Sequence, residues 1–387
     1  MLKQLTLKNW KSFRQAELFF DPLTVLIGTN ASGKSNVLDA LAFLQRLAQG
    51  IKLEDALSGD SNTSGVRGGI EWAALKPGRQ FTIEVLFEDE NTNYKYIITV
   101  NTEPLYLISE GIYEITNDKN DKFRFGYKDN SNGVDFYNPR SILSVSMTTE
   151  DSSLPNNRFI NIFLVDPVPT KMRGFSRIDK KLENDASNIA SVLAGLPIER
   201  KIQVEATLSQ YLTRLPERDI QKIWAEPVGR LGSDAMIYCE EQWPNQEAMI
   251  IDARAMSDGT LRFLGILTAL LTRPEGSQLI IEDVDSGLHP SRSGLLLEML
   301  CDIGRERKID ILVTTHNPAL LDALGPQMTP FVVVAHRDSQ TGESELTLLE
   351  DIENLPKLMA SGLLGELTTK GLIERSLAKM DEANHAE

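Results

Sequence analysis

The chain has little cysteine, little histidine and no long apolar run. Its 387 residues include two cysteines and four histidines, too few for a disulfide framework. Cys239 and Cys301 lie within apolar segments, which favours buried free thiols in a reducing compartment. Because no stretch of about 18 apolar residues occurs, we expect no membrane-spanning helix. Met1–Trp10 alternates polar and apolar residues, unlike a secretory signal, so we expect a cytoplasmic protein.

Positive charge is also scarce. The chain has 40 Lys and Arg against 55 Asp and Glu, a formal net charge of −15. This excess of acid argues against a protein that coats nucleic acid with its whole surface, although a local basic patch remains open. Hydrophobic residues form 41% of the chain, which excludes a disordered protein and predicts a packed core.

Both ends of the chain alternate strand and helix patterns. The apolar run Leu23–Ile27 is followed by helical spacing over Val37–Leu47. Towards the other end, strand patterns occur at Gln278–Ile281, Asp310–Thr314 and Phe331–Ala335. The predicted helices between and after these strands are Thr260–Leu271, Ser293–Arg307, a short helix after Asn317, and one or two helices within 354–378. This alternation favours parallel strands covered by helices.

The middle of the chain has a different pattern. Residues from about 80 to 137 have period two, and residues 182–225 have helical spacing. The predicted strands are Phe81–Phe87, Tyr94–Val100, Tyr106–Ile115, Phe123–Tyr127, Ala235–Cys239 and Ala248–Ile251. We therefore predict one α/β domain with a mixed sheet, interrupted by an antiparallel β plus helical insertion that folds outside the sheet. The predicted units are 1–70 and 236–350 for the domain, 71–150 for the β insert, 151–235 for the helical lid, and 351–387 for terminal helices.

A phosphate-binding loop follows the first apolar strand. Gly28–Ser35 fits the pattern G-x-x-x-x-G-K-[ST] between a predicted strand and a predicted helix, the context that this motif requires. The glycines let backbone N–H groups aim at phosphate oxygens, and the helix adds the positive end of its dipole. Lys34 is expected at the β- and γ-phosphates, and the Ser35 hydroxyl at Mg²⁺. The predicted phosphate-binding residues are Asn30, Ala31, Ser32, Gly33, Lys34, Ser35 and Asn36.

A buried strand ends in two acids, Glu282 and Asp283. Paired carboxylates at the end of an apolar strand are costly unless a cation or a proton meets them. In a phosphate-binding fold the first acid holds Mg²⁺ with Ser35, and the second polarises the attacking water. A solvated strand end is the alternative.

Two further features flank the acidic strand. Ser257, Asp258 and Gly259 open an apolar helix, either as a simple helix cap or as a second anion site. His316 stands at the end of the next predicted strand, either as a structural hydrogen-bonding residue or as a group near phosphate.

In this order, the motifs resemble the RecF/SMC-like branch of the ABC-type ATPases. The resemblance extends especially to bacterial AAA family ATPases related to the overcoming-lysogenisation-defect (OLD) nucleases and associated with phage defence. It covers Met1–Leu47 and Met256–Ala335. It implies that Lys11, Ser12 and Phe13 lie beside the nucleotide, that Ser257–Gly259 forms the signature turn, and that His316 is the switch histidine.

The resemblance implies an ATPase with ATP and Mg²⁺ as cofactors. In this family two heads enclose two ATP molecules, so Ser257 acts on the nucleotide of the other copy, while Lys34, Ser35, Glu282, Asp283 and His316 act on their own. The acids Glu282-Asp283 depart from the usual Asp-Glu or Glu-Glu order. Because Asp283 is one methylene shorter than glutamate, we expect slow hydrolysis.

The resemblance also suggests what the ATPase acts on. The roughly fifty residues after Ala335 are too few for the Toprim nuclease domain of the related nucleases, so we expect a separate effector chain. One hypothesis is an ATP-dependent switch that forms homo-oligomers and controls such an effector in phage defence. A second is a RecF-like DNA-repair ATPase. The β insert and the N-terminal turn argue against a third, a transporter subunit.

Direct DNA binding requires a basic surface. Five basic residues occur within eleven positions, and we expect any DNA contact here: Lys171, Arg173, Arg177, Lys180 and Lys181. A solvated loop and a docking site for an acidic partner are the alternatives.

Overall fold

The computed structural model describes residues 1–61, 64–89, 92–116, 121–128, 141–145, 157–217, 219–243 and 245–384. The strands in these ranges are β1 (Leu2–Trp10), β2 (Phe13–Phe19), β3 (Leu23–Ile27), β4 (Gln80–Asp89), β5 (Thr92–Thr102), β6 (Leu105–Glu114), β7 (Lys122–Lys128), β8 (Ile162–Val165), β9 (Ser176–Arg177), β10 (Ile220–Val228), β11 (Asp234–Glu241), β12 (Met249–Asp252), β13 (Gln278–Ile281), β14 (Asp310–Thr314), β15 (Val332–Arg337) and β16 (Ser344–Leu348). The α-helices are α1 (Lys34–Ala48), α2 (Leu53–Ser58), α3 (Ile142–Val145), α4 (Asn157–Ile160), α5 (Pro169–Met172), α6 (Ile189–Ala194), α7 (Ile198–Leu212), α8 (Asp258–Thr272), α9 (Ser293–Glu306), α10 (Pro318–Leu324), α11 (Leu355–Ser361), α12 (Leu364–Thr369) and α13 (Leu372–Asn384).

A six-stranded sheet with the order β16-β15-β3-β14-β13-β8 forms the centre of the α/β fold. Its pairs are parallel except β15 with β16. Every residue of β3, β13 and β14 is buried, as expected for a parallel sheet that is covered on both faces. The strands predicted at Leu23–Ile27, Gln278–Ile281 and Asp310–Thr314 are confirmed at the same bounds.

The two faces of this sheet belong to different hydrophobic cores. Leu26, Ile280 and Leu312 point to the core that α1 and the N-terminal strands share. Their neighbours Val25 and Val313 point to the other core, which contains α8 and α9. Successive strand residues therefore stabilise opposite layers, so the sheet holds the two halves together.

The N-terminal strands and the predicted β insert form one antiparallel sheet. Its order is β2-β1-β4-β5-β6-β7, and β1 pairs with both β2 and β4. The predicted strands of the insert are confirmed, although the insert extends the N-terminal hairpin and does not stand apart from it. Helix α1 packs its buried face into the core below this sheet.

The helical prediction for residues 182–225 is wrong at its end. Helix α7 stops at Leu212, and Ile220–Val228 forms strand β10, antiparallel to β11. The register shifts between Ile220 and Lys222, so the buried Ile220 and Ile223 are three residues apart. A bulge of this kind breaks the period of two and imitates helical spacing.

The prediction that the whole insertion folds outside the central sheet is also wrong. Strand β8, Ile162–Val165, pairs in parallel with β13 and forms an edge of that sheet. Four consecutive apolar residues carry no readable period, so the sequence pattern does not distinguish this strand from a helix. The strand signal at 129–137 and the boundary at 150 lie outside the described residues, and the other unit boundaries stay predictions.

Among the helices that the structure describes, none has the length and apolar character to cross a membrane.

Truncating a buried residue of the central sheet should test whether this sheet is the layer between the two hydrophobic cores. Leu312 is 0% exposed in β14, and we expect Leu312→Ala to lower the free energy of unfolding by about 2–5 kcal/mol through lost burial and a cavity. The measurement is denaturant unfolding. Ile202→Ala on α7, where the residue is 61% exposed, is the control and should change stability by less than about 0.5 kcal/mol. Equal losses in both variants would contradict this assignment of the core.

Candidate functional site

The predicted phosphate loop, the two acids and His316 follow strands that end at the carboxyl edge of the central sheet. The phosphate loop follows β3, the acids follow β13, and His316 follows β14, and these strands are neighbours. Ligands bind at this edge in open α/β sheets. A cavity of about 320 Å³ lies here, and its lining residues are Asn30, Ala31, Ser32, Gly33, Lys34, Ser35, Asn36, Glu282, Asp283, Thr314 and Arg337. We call it the phosphate cavity.

The glycines of the phosphate loop leave no room for side chains. Gly28 has φ +141°, and a Cβ there would lie 2.1 Å from the carbonyl oxygen of Ala335. Gly33 has φ +119°, and a Cβ would lie 2.7 Å from Phe13 Cζ. Helix α1 begins immediately afterwards at Lys34, so its N-terminal N–H groups face the same loop.

Polar groups of the loop fit a triphosphate. Lys34 is only 9% exposed, and its Nζ donates to the carbonyl oxygens of Gly28 at 2.6 Å and Thr29 at 3.0 Å. Burial lowers the pKa of Lys34, while Asp283 and Glu282 act in the opposite direction. The buried Ser32 Oγ has no hydrogen-bond partner among the described residues. Phosphate oxygens would supply acceptors to both groups.

The residues predicted to hold Mg²⁺ are in contact. Ser35 Oγ donates to Glu282 Oε1 at 2.6 Å, although 247 positions separate them in the chain. A hydroxyl and a carboxylate beside a phosphate are oxygen ligands of the type that Mg²⁺ prefers. The donor set therefore fits this metal.

Asp283 and His316 form the outer part of the site. Asp283 Oδ1 lies 3.5 Å from His316 Nδ1, and their side chains are 44% and 63% exposed. Both therefore remain accessible to water and to a bound phosphate. Asp283 itself has φ +44°, and its N–H donates to Thr314 Oγ1 at 2.8 Å.

Two arginines of the site escaped the sequence analysis. Arg67 pairs with Glu282 through the carboxylate oxygen that Ser35 does not contact, and Arg337 Nε donates to the carbonyl oxygen of Ala31 at 2.8 Å. Arg67 comes from an irregular loop, where no pattern predicts its position. Arg337 ends β15 at the site edge of the sheet, so its place after a predicted strand was a usable signal.

The turn predicted beside the nucleotide makes polar contacts with the first part of α1. Lys11 Nζ lies 2.6 Å from Asp39, Ser12 Oγ accepts from Asn36 Nδ2 at 2.7 Å, and Phe13 is 0% exposed. Burial lowers the pKa of Lys11, which Asp39 partly offsets. None of these three turn residues lines the phosphate cavity among the described residues. Their contact with nucleotide stays a prediction.

The signature turn, Ser257–Gly259, lies at the start of α8. Ser257 Oγ accepts from the N–H of Thr260 at 3.1 Å, which confirms the predicted helix cap. Ser257 and Asp258 are exposed, and in the described part of the chain the signature turn does not line the phosphate cavity. Its predicted action on the nucleotide of another copy stays a prediction.

The predicted basic surface is smaller than its sequence suggests. Lys171 pairs with Asp185 at 3.0 Å, and Arg173 pairs with Asp258 of the signature turn at 2.8 Å. Acids therefore neutralise two of the five predicted DNA contacts. The other three are exposed: Arg177, Lys180 and Lys181.

A protein-family model described as "AAA domain, putative AbiEii toxin, Type IV TA system" matches residues 23–322. The chain belongs to this AAA family. The match runs from β3 to α10 and includes the phosphate loop, the signature turn and the acids. The chain is therefore an ATPase.

Curated relatives agree with this assignment. The ATPase is 24% identical over 360 residues to an OLD nuclease of Thermus scotoductus, covering 83% of this chain and 60% of that relative. It is 20% identical over 337 residues to an ATP/GTP phosphatase of Helicobacter pylori, covering 84% and 87%. The chain thus spans less than two thirds of the length of the OLD nuclease.

Solved structures give the fold class. An Smc head bound to the C-terminal winged-helix domain of ScpA has a TM-score of 0.58 at 14% identity, covering 89% of this chain and 97% of that one. A second Smc head, bound to a ScpA domain derived from Pyrococcus furiosus, has a TM-score of 0.53 at 13% identity, covering 93% and 99%. The predicted fold, an α/β head like those of Smc proteins, is confirmed.

Removing the phosphate-loop ammonium should abolish ATP binding. Lys34→Ala deletes the buried positive charge that faces the phosphates, and titration with Mg-ATP should detect no binding. Lys357→Ala, which changes an exposed lysine, is the control and should bind as the wild type does. Unchanged affinity of Lys34→Ala would overturn the assignment of the site.

Proposed function

We propose that this ATPase is a switch whose heads dimerise around ATP and control a separate effector, a Toprim-like nuclease, in bacterial defence against phage. The observation that carries the proposal is that the signature turn lies apart from the other nucleotide-binding motifs. The phosphate loop, Glu282 and Asp283 surround one cavity, whereas the signature turn faces outward. A second copy can supply the missing side.

Binding rearranges the charges of the site. Mg²⁺, when bound, neutralises phosphate charge and aligns the nucleotide. Ser35 and Glu282 would hold it, and Arg67, which pairs with the same carboxylate, would then be available to phosphate oxygens. Lys34 exchanges the carbonyl oxygens of the loop for the β- and γ-phosphates. In this proposal Lys34 and Arg67, which contact oxygen atoms of the protein in the structure, contact the triphosphate once it is bound.

Asp283 is the group that orients the attacking water in this proposal. Its carboxylate lines the phosphate cavity and lies 3.5 Å from His316. We assign His316 to the γ-phosphate through this contact with Asp283, since His316 itself does not line the cavity in the described structure. Because the Asp283 side chain is short, water is held less closely than by glutamate, and turnover is slow. Slow turnover suits a switch, whose ATP-bound state must persist long enough to engage an effector.

The second head contributes the signature turn. Ser257 and Asp258 are exposed at the N-terminus of α8, a 15-residue helix. The positive end of this helix is suited to the γ-phosphate held by another copy. The ion pair of Arg173 with Asp258 offsets the negative charge that would otherwise oppose this approach.

The effector and the defence role rest on the relatives. One relative is named a nuclease, and the family model names a toxin of a toxin–antitoxin system. Two structural neighbours are described with a ScpA domain bound to the head, which supports control through a partner protein. Fold alone does not assign a biological role, so these are analogies.

A RecF-like DNA-binding ATPase is the alternative. Its support is the exposed part of the basic segment, Lys171–Lys181. Arg177, Lys180 and Lys181 are accessible there, and Phe175 is 59% exposed, available for stacking on a base.

Solution mass tests the two-head arrangement. Asp283→Asn should bind ATP but hardly hydrolyse it, because the amide does not polarise water as a carboxylate does. We expect its mass by light scattering to double with Mg-ATP. Adding Ser257→Arg, which blocks the signature turn, should prevent doubling without loss of ATP binding. A mass that is unchanged by ATP would contradict ATP-driven dimerisation, and rapid hydrolysis by Asp283→Asn would show that Asp283 does not position the water.

Charge removal tests the alternative. Replacing the exposed residues Arg177, Lys180 and Lys181 together with alanine should weaken duplex DNA binding and flatten its salt dependence, provided that these residues contact phosphates. The measurement is fluorescence anisotropy at several salt concentrations. A matched triple variant of Lys308, Lys357 and Lys370 controls for net charge. Equal binding by the two triple variants would remove the DNA role from this segment.

A further inference from the structure

Arg262 links the N-terminal part of α8 to the two site acids. It lies five residues after Ser257 and is only 8% exposed, although it carries a full charge. Burying a guanidinium is costly unless hydrogen bonds and counter-charge compensate for it. The hydrogen bonds of this side chain identify the groups that compensate for its burial.

One edge of the guanidinium holds the backbone of the acids. Arg262 Nη2 donates to the carbonyl oxygen of Glu282 at 3.2 Å and to that of Asp283 at 3.1 Å. Nη1 donates to Asp166 Oδ1 and to the carbonyl oxygen of Pro167, both at 2.9 Å. A single planar group thus joins α8, the segment after β8 and the segment after β13.

The backbone held in this way is strained. Asp283 has φ +44°, a left-handed conformation that non-glycine residues seldom adopt. Such a conformation persists only where surrounding contacts determine it. The N–H of Asp283 donates to Thr314 Oγ1, and the N–H of Val284 donates to the carbonyl oxygen of Thr314 at 3.0 Å. Thr314 therefore fixes the amide side of the turn, and Arg262 fixes the carbonyl side.

The ion pair of Arg262 does not account for its burial. Among the described residues its carboxylate partner is Asp166, whose side chain is 66% exposed, so solvent weakens that pair. Arg262 Nε is buried without a hydrogen-bond partner in the described residues. Of its four hydrogen bonds to described residues, three go to backbone carbonyl oxygens, and two of these oxygens belong to Glu282 and Asp283.

We propose that Arg262 is a positioning residue for ATP hydrolysis: it holds the backbone of Glu282 and Asp283 so that the Asp283 carboxylate stays directed at the phosphate cavity. This inference rests on the proposed role of Asp283. Arg262 does not line that cavity in the described structure, so it acts on the reaction only through the acids.

Arg273 offers a matched control. It is also 8% exposed, lies at the other end of α8, and stacks over Phe163 at 4.4 Å from the ring centroid. Arg273→Gln removes a buried guanidinium from the same helix without touching the acids. Any effect of lost stability alone should therefore occur in both glutamine variants.

Two measurements on the full chain test the proposal. Hydrogen exchange of peptides that cover residues 279–288 reports on the backbone of the acids without requiring turnover. We expect Arg262→Gln to speed exchange there, and Arg273→Gln to leave it unchanged. In steady-state assays, Arg262→Gln should lower kcat about tenfold or more and change Mg-ATP affinity less than about threefold, the pattern of an interaction needed only for the chemical step. Arg273→Gln should keep kcat.

Arg262→Lys should give intermediate values, because an ammonium keeps the charge but cannot span two pairs of acceptors. If Arg262→Gln does not fold, Arg262→Lys replaces it in the comparison of hydrogen exchange and kcat with Arg273→Gln. Unchanged exchange at 279–288, or an equal loss of kcat in Arg273→Gln, would overturn the positioning role. If the wild type binds ATP without hydrolysing it, the proposed function fails, whereas the exchange comparison still decides whether Arg262 holds the acids.

Discussion

The parallel pairing of β3 with β14 and β15 is the constraint on which the site depends. It sets the strand before the phosphate loop between two strands from the last quarter of the chain. Because parallel strands end at the same edge, Ser35 and Glu282 come within hydrogen-bonding distance. Every residue of β3 is buried, so the hydrophobic effect that closes the fold also assembles the site.

Basic and acidic side chains balance each other at the site. Lys11, Lys34 and Arg67 bring positive charge to a small volume, and Asp39, Glu282 and Asp283 offset it. The lowered pKa values of the two lysines reflect burial and not a shortage of acidic partners. The basic groups of such a site can exchange their ion pairs within the protein for contacts with an anionic ligand.

The groups whose positions can be predicted from the sequence are those that follow strand ends or belong to a spaced motif. Gly28–Ser35, Glu282, Asp283 and His316 fall into this class, and so do the buried strands between them. The wrong predictions have physical causes. A bulge at Ile220 gave a strand the spacing of a helix, and four apolar residues at β8 were too few to reveal a period. Arg67 reaches the site from an irregular loop, where only the folded chain shows which side chain points inward.

The distance along the chain between β3 and its neighbours also affects how the protein is made. Leu23 finds its partner at Ile311, so an emerging chain carries an unpaired strand, apolar except for Thr24, while most of the protein is still being translated. At an elongation rate of about 5–20 residues per second this interval lasts about 15 to 60 s. Throughout it, β3 is a template for wrong pairing with other nascent chains. The β1–β2 hairpin and α1, which form from local contacts, are the first elements able to shield it, so ribosome-bound folding of this ATPase depends on how early they associate.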